Sequence, residues 1–537
     1  MYHRRDPIMA GYILALDQGT TSSRAIIYDE RARAIQISQK PTTLSTPKAG
    51  YVEQDAMQIW HTQISCAHDA INQAGLLATD ITSLAITNQR ETIVVWDKRT
   101  GRPLAPAIIW QDRRSDDWCQ KLRQQKVKGS DMSMENHVQA ITGLRLDPYF
   151  SASKIVWLME NHPNLKDRAQ RGEVAVGTVD SWLMFKLTGG EHVIDVTNAS
   201  RTLMYDINKL QWSDDLLNKF DLCKQMLPKV LPSDGDFGKT KKGLFAKQIP
   251  IQAVLGDQQA ALFGQGCVST GMAKNTYGTG CFMLMNIGSE VQLSQHQLLS
   301  TVGWQRRSPN AQLIAGVSEH TSLSKLVKSG QRMLTPAKRE VTYALEGSVF
   351  MAGAIVQWLR DNIGLFNKSQ DIEDLAKEVD SSEQVVLVPA FTGLGAPYWR
   401  SDITASLSGM TRGSTKAHIA RAALESIAFQ TYDVLTAMQK DSPSPLTELR
   451  VDGGAANNDL LMQFQADMLG VPVLRPKDTE VTAKGAALLA GITSGLYDES
   501  AIDDSWDLDK CFEPTMSADE REQHLHKWHQ AIGKTLQ

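Results

Sequence analysis

The feature that most constrains this sequence is a strand–turn–strand pattern that occurs twice. Residues 12–16 and 24–28 are apolar enough to be buried strands, and "DQGTTSS" lies between them with no room for a helix. Residues 271–288 again predict a strand, a tight Gly-Thr-Gly turn and a second strand. Because 537 residues are too many for one hydrophobic core, we predict two α/β halves, each opened by such a hairpin, with the join near residue 265.

The rest of the chain alternates between predicted strands and predicted helices. Short apolar runs predict strands at 84–86, 93–96 and 107–110. A strand followed by a helix is predicted in three places, at residues 173–190, 249–266 and 448–470. Residues 414–439 predict one long capped helix without Gly or Pro, and the polar, basic residues 305–340 predict an inserted loop or mobile segment.

Composition and charge exclude several functional classes. The formal net charge of −4 argues against a broad nucleic-acid surface, and no apolar run approaches the ~20 residues of a membrane span. Six scattered cysteines without a Cys-x-x-Cys pair predict neither disulfides nor zinc, and favour a cytoplasmic protein. Residues 8–16 resemble a signal-peptide core, but Asp17 follows at once, so we predict a strand there, and the start is either Met1 or Met9.

The two hairpin turns are candidate phosphate sites. A tight turn rich in Gly, Ser and Thr points backbone N–H groups and hydroxyls toward one anion, and two such turns can close on a polyphosphate. Asp17 ends the first strand, where a carboxylate can hold hydrated Mg²⁺. Either turn alone could be an ordinary hairpin. Ser233 replaces the leading Gly of a P-loop before "GKT", so a nucleotide would be held in another way.

Other turns carry candidate ligands for a nucleotide and a polyol. In "DGGAANND", Gly453 and Gly454 allow close approach to the backbone, and Asn458 is either a hydrogen-bond partner or a helix cap. In "NQRET", Arg90 and Glu91 offer donors and an acceptor to a polyol, if the strand stops there, or form an exposed ion pair. In "GDQQ", residues 257 and 258 pair a possible general base with an amide, or cap a helix.

Several motifs together resemble the glycerol kinase family, a branch of the carbohydrate kinases in the actin/Hsp70-like ATPase superfamily. They stand in the family's order from Tyr12 to the C-terminal "FEPTMSADERE". The matching segments are "DQGTTSSR", "NQRET", "DPYFSASK", "GDQQAALFGQ", "KNTYGTGCF", "YALEGSVFMAGA", "PAFTGLGAPYW" and "DGGAANNDLLMQFQAD". "NQRET" distinguishes glycerol kinases from pentulose kinases within the branch.

The resemblance implies an α/β fold of two ribonuclease-H-like domains with a central nucleotide cleft. The implied N-terminal domain, residues 9–264, carries the first phosphate hairpin and the glycerol site. The implied C-terminal domain, residues 265–505, carries the second phosphate hairpin and the adenosine site. A helical tail is expected at 506–537. Homodimers or homotetramers are also implied.

The resemblance assigns residues to each ligand. The polyol is expected to contact Arg90, Glu91, Trp110, Tyr149, Asp257, Gln258 and Phe282. ATP is expected to contact Thr20, Thr21, Ser22, Arg24, Thr279, Gly280, Gly353, Gln357, Gly454 and Asn458. Asp257 is the implied general base, and Asp17 the implied partner of Mg²⁺ through water.

The implied activity is ATP-dependent phosphorylation of glycerol to sn-glycerol 3-phosphate by in-line transfer, the first step of glycerol catabolism. Two alternatives stay open. One is a related kinase for another small polyol or a ketose, which would need an altered pocket around Trp110 or Phe282. The other is a non-catalytic nucleotide switch or scaffold, for which a polyol site would have no use.

Overall fold

The computed structural model describes residues 11–307, 340–400 and 402–537. The two candidate starts, Met1 and Met9, and nearly all of the predicted insert at 305–340 therefore lie outside the described residues. The first half contains β1 (Tyr12–Gln18), β2 (Ser22–Tyr28), β3 (Ala34–Pro41), β4 (Glu53–Gln54), α1 (Ala56–Gln73), β5 (Ile81–Asn88), β6 (Ile93–Asp97), β7 (Ala107–Ile108), α2 (Asp116–Arg123), α3 (Met134–Thr142), α4 (Ser151–Asn161), α5 (Leu165–Gln170), β8 (Val174–Thr178), α6 (Val179–Thr188), β9 (Val193–Asp195), α7 (Val196–Ala199), β10 (Tyr205–Asp206), β11 (Gln211–Trp212), α8 (Asp214–Lys219), β12 (Lys229–Leu231), β13 (Ile251–Gly256) and α9 (Asp257–Gly264).

The second half begins with the second hairpin. It contains β14 (Ala273–Tyr277), β15 (Cys281–Gly288), β16 (Leu299–Arg306), β17 (Glu340–Val349), α10 (Gly353–Asp361), α11 (Asp371–Ala376), β18 (Val386–Val388), β19 (Ser406–Ser408), α12 (Lys416–Asp441), β20 (Leu449–Asp452), α13 (Asp459–Leu469), β21 (Val473–Pro476), α14 (Val481–Ser494), α15 (Ala501–Asp504), β22 (Leu508–Phe512) and α16 (Ala518–Thr535). None of the helices in these described ranges is long and apolar enough to cross a membrane.

The predicted repetition of a hairpin-led α/β unit is confirmed by the sheet topology. The first sheet has the order β13-β5-β1-β2-β3, with parallel pairing on one side of β1 and antiparallel pairing on the other. The second sheet, β16-β17-β15-β14-β20-β21-β22, contains the same arrangement of five strands around β14. Each hairpin therefore occupies the same position in its own sheet, beside a parallel strand that ends in a polar loop.

Helices α9 and α14 cross between the two sheets at very short range. A Cβ atom on Gly485 would lie 1.9 Å from the Ala260 carbonyl, and one on Gly264 would lie 2.1 Å from the Val481 carbonyl. Only glycine permits this approach. Although α14 is late in the sequence, its apolar side chains share a cluster with Ile13 of the first sheet. Because a helix of the second half packs against the first sheet, the packing does not separate two domains at residue 264. That domain boundary therefore remains a prediction.

The ends of the second sheet differ in detail from the sequence prediction. Residues 506–537, predicted as a helical tail, also include β22, which pairs antiparallel with β21. The following helix α16 packs through Trp528, whose indole N–H donates to Asp433 Oδ2 at 2.6 Å. At the opposite edge Arg306 pairs with Glu340, so the two ends of the predicted insert lie side by side on adjacent strands.

Candidate active site

The first hairpin presents hydroxyls beside a buried carboxylate. The turn is closed by the Gly19 N–H, which donates to the Ser22 carbonyl at 3.0 Å. Thr20, Thr21 and Ser22 are half-buried or exposed. Asp17, predicted to end the strand, lies within β1 opposite Arg24, whose Nε is 3.5 Å from Asp17 Oδ2.

Burial raises the pKa of Asp17 to about 6, although the charge of Arg24 opposes the shift. Glu480, at the start of α14, adds to it. Arg24 also forms an ion pair with Glu480, so its guanidinium lies between two carboxylates. Burial disfavours the charged form of this carboxylate, and a nearby divalent cation would favour it. The Asp17 carboxylate is therefore a suitable partner for such a cation.

The second hairpin is joined to the N-terminus of α10. Gly353 and Ala354 donate their N–H groups to the carbonyls of Gly278 and Thr279, at 3.0 and 3.1 Å. A Cβ atom on Gly280 would lie 2.4 Å from the Val349 carbonyl, and one on Gly353 would lie 2.6 Å from the Gly278 carbonyl. Neither Gly280 nor Gly353 could therefore carry a side chain without a shift of the backbone around it.

The predicted adenosine contacts gather around the same hairpin. Gly453 has φ +88° and lies against Tyr277 at the end of β14, so Gly454 follows directly beside the turn. Space above Gly454 is open. Gln357 is exposed on α10. Asn458 caps α13, since its Oδ1 accepts the Leu461 N–H at 2.8 Å, a contact that does not use the side-chain N–H₂ group.

The polyol residues follow β5, which stops at Asn88. Arg90 and Glu91 lie in the loop beyond it, and Glu91 has φ +60°, so the condition that the strand must end here is met. The alternative of an exposed ion pair is wrong, because the Arg90 and Glu91 side chains are only 2 % and 1 % exposed. Arg90 Nε lies 3.3 Å from Asp257 Oδ1, which brings two separate sequence motifs together.

Asp257 is the first residue of α9 and Gln258 the second. The Asp257 side chain is 31 % exposed, more open than its neighbour Arg90. Burial raises the pKa of Asp257 to about 6, while the charges of Arg90 and Lys274 oppose the shift and Glu91 adds to it. The Gln258 N–H donates to Asp257 Oδ1 at 2.7 Å, so the predicted helix-capping contact also exists.

Trp110 connects the polyol residues to both hairpins. Its ring meets those of Tyr149 and Phe282 edge-on, at centroid distances of 5.8 and 6.1 Å. Its indole N–H donates to Thr20 Oγ1 at 2.9 Å. Burial raises the pKa of Tyr149, so its hydroxyl stays protonated and can donate. The three rings form an apolar wall between the first hairpin and the second.

The sequence analysis missed two charged residues that contact Arg90 and Glu91. Glu346 on β17 accepts both Nη groups of Arg90, at 2.6 and 2.8 Å, and Arg201 Nη2 at 2.9 Å. Arg201 Nε in turn donates to Glu91 Oε1 at 2.7 Å. These four side chains, which we call the charge ring, are almost fully buried. Their sequence signal was a lone charge among uncharged residues, in "YALEGSVF" and "NASRT".

Comparison with known proteins decides the family. Residues 12–264 match the N-terminal domain of the FGGY family of carbohydrate kinases, and residues 273–494 match its C-terminal domain. The chain belongs to the FGGY family of carbohydrate kinases. Kinases of this family have the actin/Hsp70-like ATPase fold, so the predicted fold class is confirmed.

Proteins similar to this chain match it over nearly its whole length. It is 54% identical to a glycerol kinase of Acinetobacter baylyi, over 97% of this chain and 98% of that one. It is 51% identical to a glycerol kinase of Deinococcus radiodurans, over 97% of each. A Plasmodium falciparum glycerol kinase solved with ADP has a TM-score of 0.85 and 33% identity, with 98% and 99% of the chains covered. A Lactobacillus acidophilus xylulose kinase shares the fold at 20% identity, with a TM-score of 0.81 and 97% of each chain covered.

Proposed function

We propose that this FGGY kinase phosphorylates glycerol with ATP, yielding sn-glycerol 3-phosphate, the first step of glycerol catabolism. The observation that carries the proposal is the convergence of Arg90 and Asp257 beneath the wall of Trp110, Tyr149 and Phe282. Such a site offers charged hydrogen bonds to hydroxyls on one side and an apolar surface to C–H groups on the other. The relatives named glycerol kinase support the same substrate.

The polyol side chains act by positioning. Arg90 donates to one hydroxyl, Glu91 accepts from another, and the protonated Tyr149 offers a further donor. With two hydroxyls held, a terminal hydroxyl is directed toward the phosphate hairpins. Binding holds the acceptor hydroxyl in line with phosphorus. Much of the translational and rotational entropy is therefore lost on binding, and the transfer step does not have to lose it again.

Asp257 is the proposed general base. Its carboxylate takes the proton of the terminal hydroxyl as that oxygen bonds to the γ-phosphorus of ATP. The bond between the γ-phosphorus and the bridging oxygen breaks, and ADP leaves with the electron pair. A pKa of about 6 keeps Asp257 largely ionised at neutral pH, as this step requires.

The hairpins are the proposed phosphate ligands. Thr20, Thr21 and Ser22 supply hydroxyls and N–H groups from the first hairpin, with Arg24 as the cation, and Thr279 and Gly280 contribute from the second. Gly353, Gln357, Gly454 and Asn458 are the proposed contacts of adenosine. The open space above Gly454 fits this assignment, because a side chain there would occupy the ligand's position.

Asp17 is the proposed partner of Mg²⁺. Its buried carboxylate lies 3.5 Å from the guanidinium of Arg24, and hard oxygen donors suit this ion. Bound there through water, magnesium would neutralise charge on the phosphate oxygens of ATP. A cytoplasmic location and a homodimeric or homotetrameric state are also proposed, on the family resemblance.

ADP release measured with glycerol, dihydroxyacetone, glyceraldehyde, xylulose and ribulose tests the function. Product should be quantified by chromatography after quenching, with Asp257→Asn as the matched inactive control. Strong preference for glycerol is expected. Preference for a ketopentose would favour the alternative sugar kinase, and ADP release unaffected by any polyol would favour the nucleotide switch.

A further inference from the structure

A lysine is completely buried at the junction of the polyol site and the second hairpin. Lys274 lies in the middle of β14, within "AKNTY", and its side chain is 0 % exposed. Lysines are almost never fully buried unless their ammonium group is paired, because removing the charge from water is expensive. The steps described above do not use this residue, so its position needs a reason.

All three ammonium protons of Lys274 have acceptors. They bond Gln258 Oε1, Thr276 Oγ1 at 2.8 Å and the Phe282 carbonyl at 3.2 Å. An ammonium group has three donors and no acceptor, so these contacts saturate it. Lys274 therefore does not donate to a phosphate without breaking one of them.

The contact with Gln258 determines how that amide is turned. Because a lysine can only donate, it must face the amide oxygen of Gln258, and the amide N–H₂ group is then directed elsewhere. Gln258 adjoins Asp257 at the start of α9 in the first half. The other two acceptors, Thr276 and Phe282, flank the phosphate hairpin of the second half. Lys274 thus connects the acceptor side of the site to the phosphate side.

Resting on the proposed function, we propose that Lys274 is a positioning residue. It presents the Gln258 amide N–H₂ to an acceptor hydroxyl and holds Asp257 and Gln258 in fixed relation to the second hairpin. Substrate is aligned for transfer only when this contact between the halves is made. Lys274 acts through Gln258 and the hairpin, without touching the reacting atoms.

The surrounding charges provide an independent readout. Burial lowers the pKa of Lys274 to about 8, Asp452, Asp257 and Glu346 favour its charged form, and Arg90 opposes it. The positive charge of Lys274 in turn lowers the pKa of Asp257. Removing that charge raises the pKa of the base, so the acid limb of the pH–rate profile moves to higher pH.

The test compares Lys274→Met, which keeps length without charge, and Lys274→Gln, which keeps a donor without charge. Lys98→Met removes a lysine whose ammonium group bonds the Gln225 carbonyl, outside the site, and serves as the control. Lys274→Met should lower kcat about 100-fold, the size expected for misalignment by ~1 Å, with a smaller change in the KM for glycerol. Its acid limb should move up by about one pH unit. Lys274→Gln should recover part of kcat and show the same pH shift.

A double-mutant cycle with Gln258→Ala isolates the mechanism. If Lys274 acts through Gln258, the fold-loss of kcat in the double variant is much smaller than the product of the fold-losses in the two single variants. Wild-type kcat and an unmoved acid limb in Lys274→Gln would overturn the inference, even if Lys274→Met failed to fold. A wild-type enzyme inactive on glycerol would overturn the proposed function instead, so the two failures are distinguishable.

Discussion

Replacing Asp257 by Asn tests the role of this residue as general base independently of its contribution to the fold. Burial raises the pKa of this carboxyl from 3.8 to about 6 in the folded protein. A carboxylate with that pKa is about 90 % ionised at pH 7 and about 10 % ionised at pH 5. In the wild-type enzyme, kcat/KM should therefore fall about tenfold between pH 7 and pH 5, as the base becomes protonated.

Asparagine has nearly the same shape but cannot take the proton. We expect Asp257→Asn to lower kcat by about 10²- to 10⁴-fold and to lose the acid limb near pH 6. The pKa of Asp257 is higher in the folded than in the unfolded chain, so ionising this carboxyl costs more free energy in the folded state. That cost is present in full above pH 6. The shift of about two units corresponds to about 3 kcal/mol, so the variant should be at least as stable as wild type at pH 7.

Two measurements on the same samples check this reasoning. ADP is quantified after quenching between pH 5 and 8.5, which avoids coupling enzymes that titrate in the same range. Thermal unfolding is followed at pH 7 without ligand, and glycerol binding by calorimetry. A rate within tenfold of wild type would refute the role of Asp257 as base. A marked loss of thermal stability would refute the sign of the electrostatic argument.

Other contacts of the site give three further expectations. Glu346→Gln removes one negative charge from beside two buried guanidinium groups. The free energy of unfolding should fall by about 3–5 kcal/mol, and glycerol binding, measured by calorimetry, should weaken at least about tenfold. Trp110→Phe keeps an aromatic ring in the wall but loses the N–H that donates to Thr20, so the KM for ATP should rise about fivefold, the size of one hydrogen bond. Gly485→Val would place Cβ 1.9 Å from a carbonyl of α9, so it should lower the unfolding temperature sharply or prevent folding, whereas exposed Gly533→Ala should not.

Local signals made much of the fold predictable from the sequence. Both hairpins were predicted because small and hydroxyl residues interrupt apolar runs too short for helices. The long helix, predicted at 414–439, spans Lys416–Asp441 behind the Thr415 cap. The packing of α14 on the first sheet was not predictable, because no local pattern in "EVTAKGAALLAG" says which sheet its small residues will contact.

The candidate site was less predictable from the sequence where the role of a residue depends on its burial in the folded chain. An isolated Arg90–Glu91 pair is usually exposed, and only the folded chain shows that Glu346, distant in sequence, pairs with Arg90. Lys274 and Arg201 were likewise visible as lone charges near apolar residues, but their partners come from other elements. The roles of the predicted ATP and glycerol contacts remain predictions that the experiments above test.

The charge ring explains why the acceptor site cannot belong to one half alone. It contains two guanidinium groups and two carboxylates, so its net charge is zero, and buried pairs of this kind contribute little net stability over apolar packing. What the ring does provide is geometry. Glu346 comes from the second sheet and fixes the guanidinium plane of Arg90, which follows a strand of the first. Lys274 makes the reverse connection, from the second sheet to Gln258. Separation of the sheets would release both polyol contacts at once, so a competent acceptor site requires the phosphate hairpins to face each other.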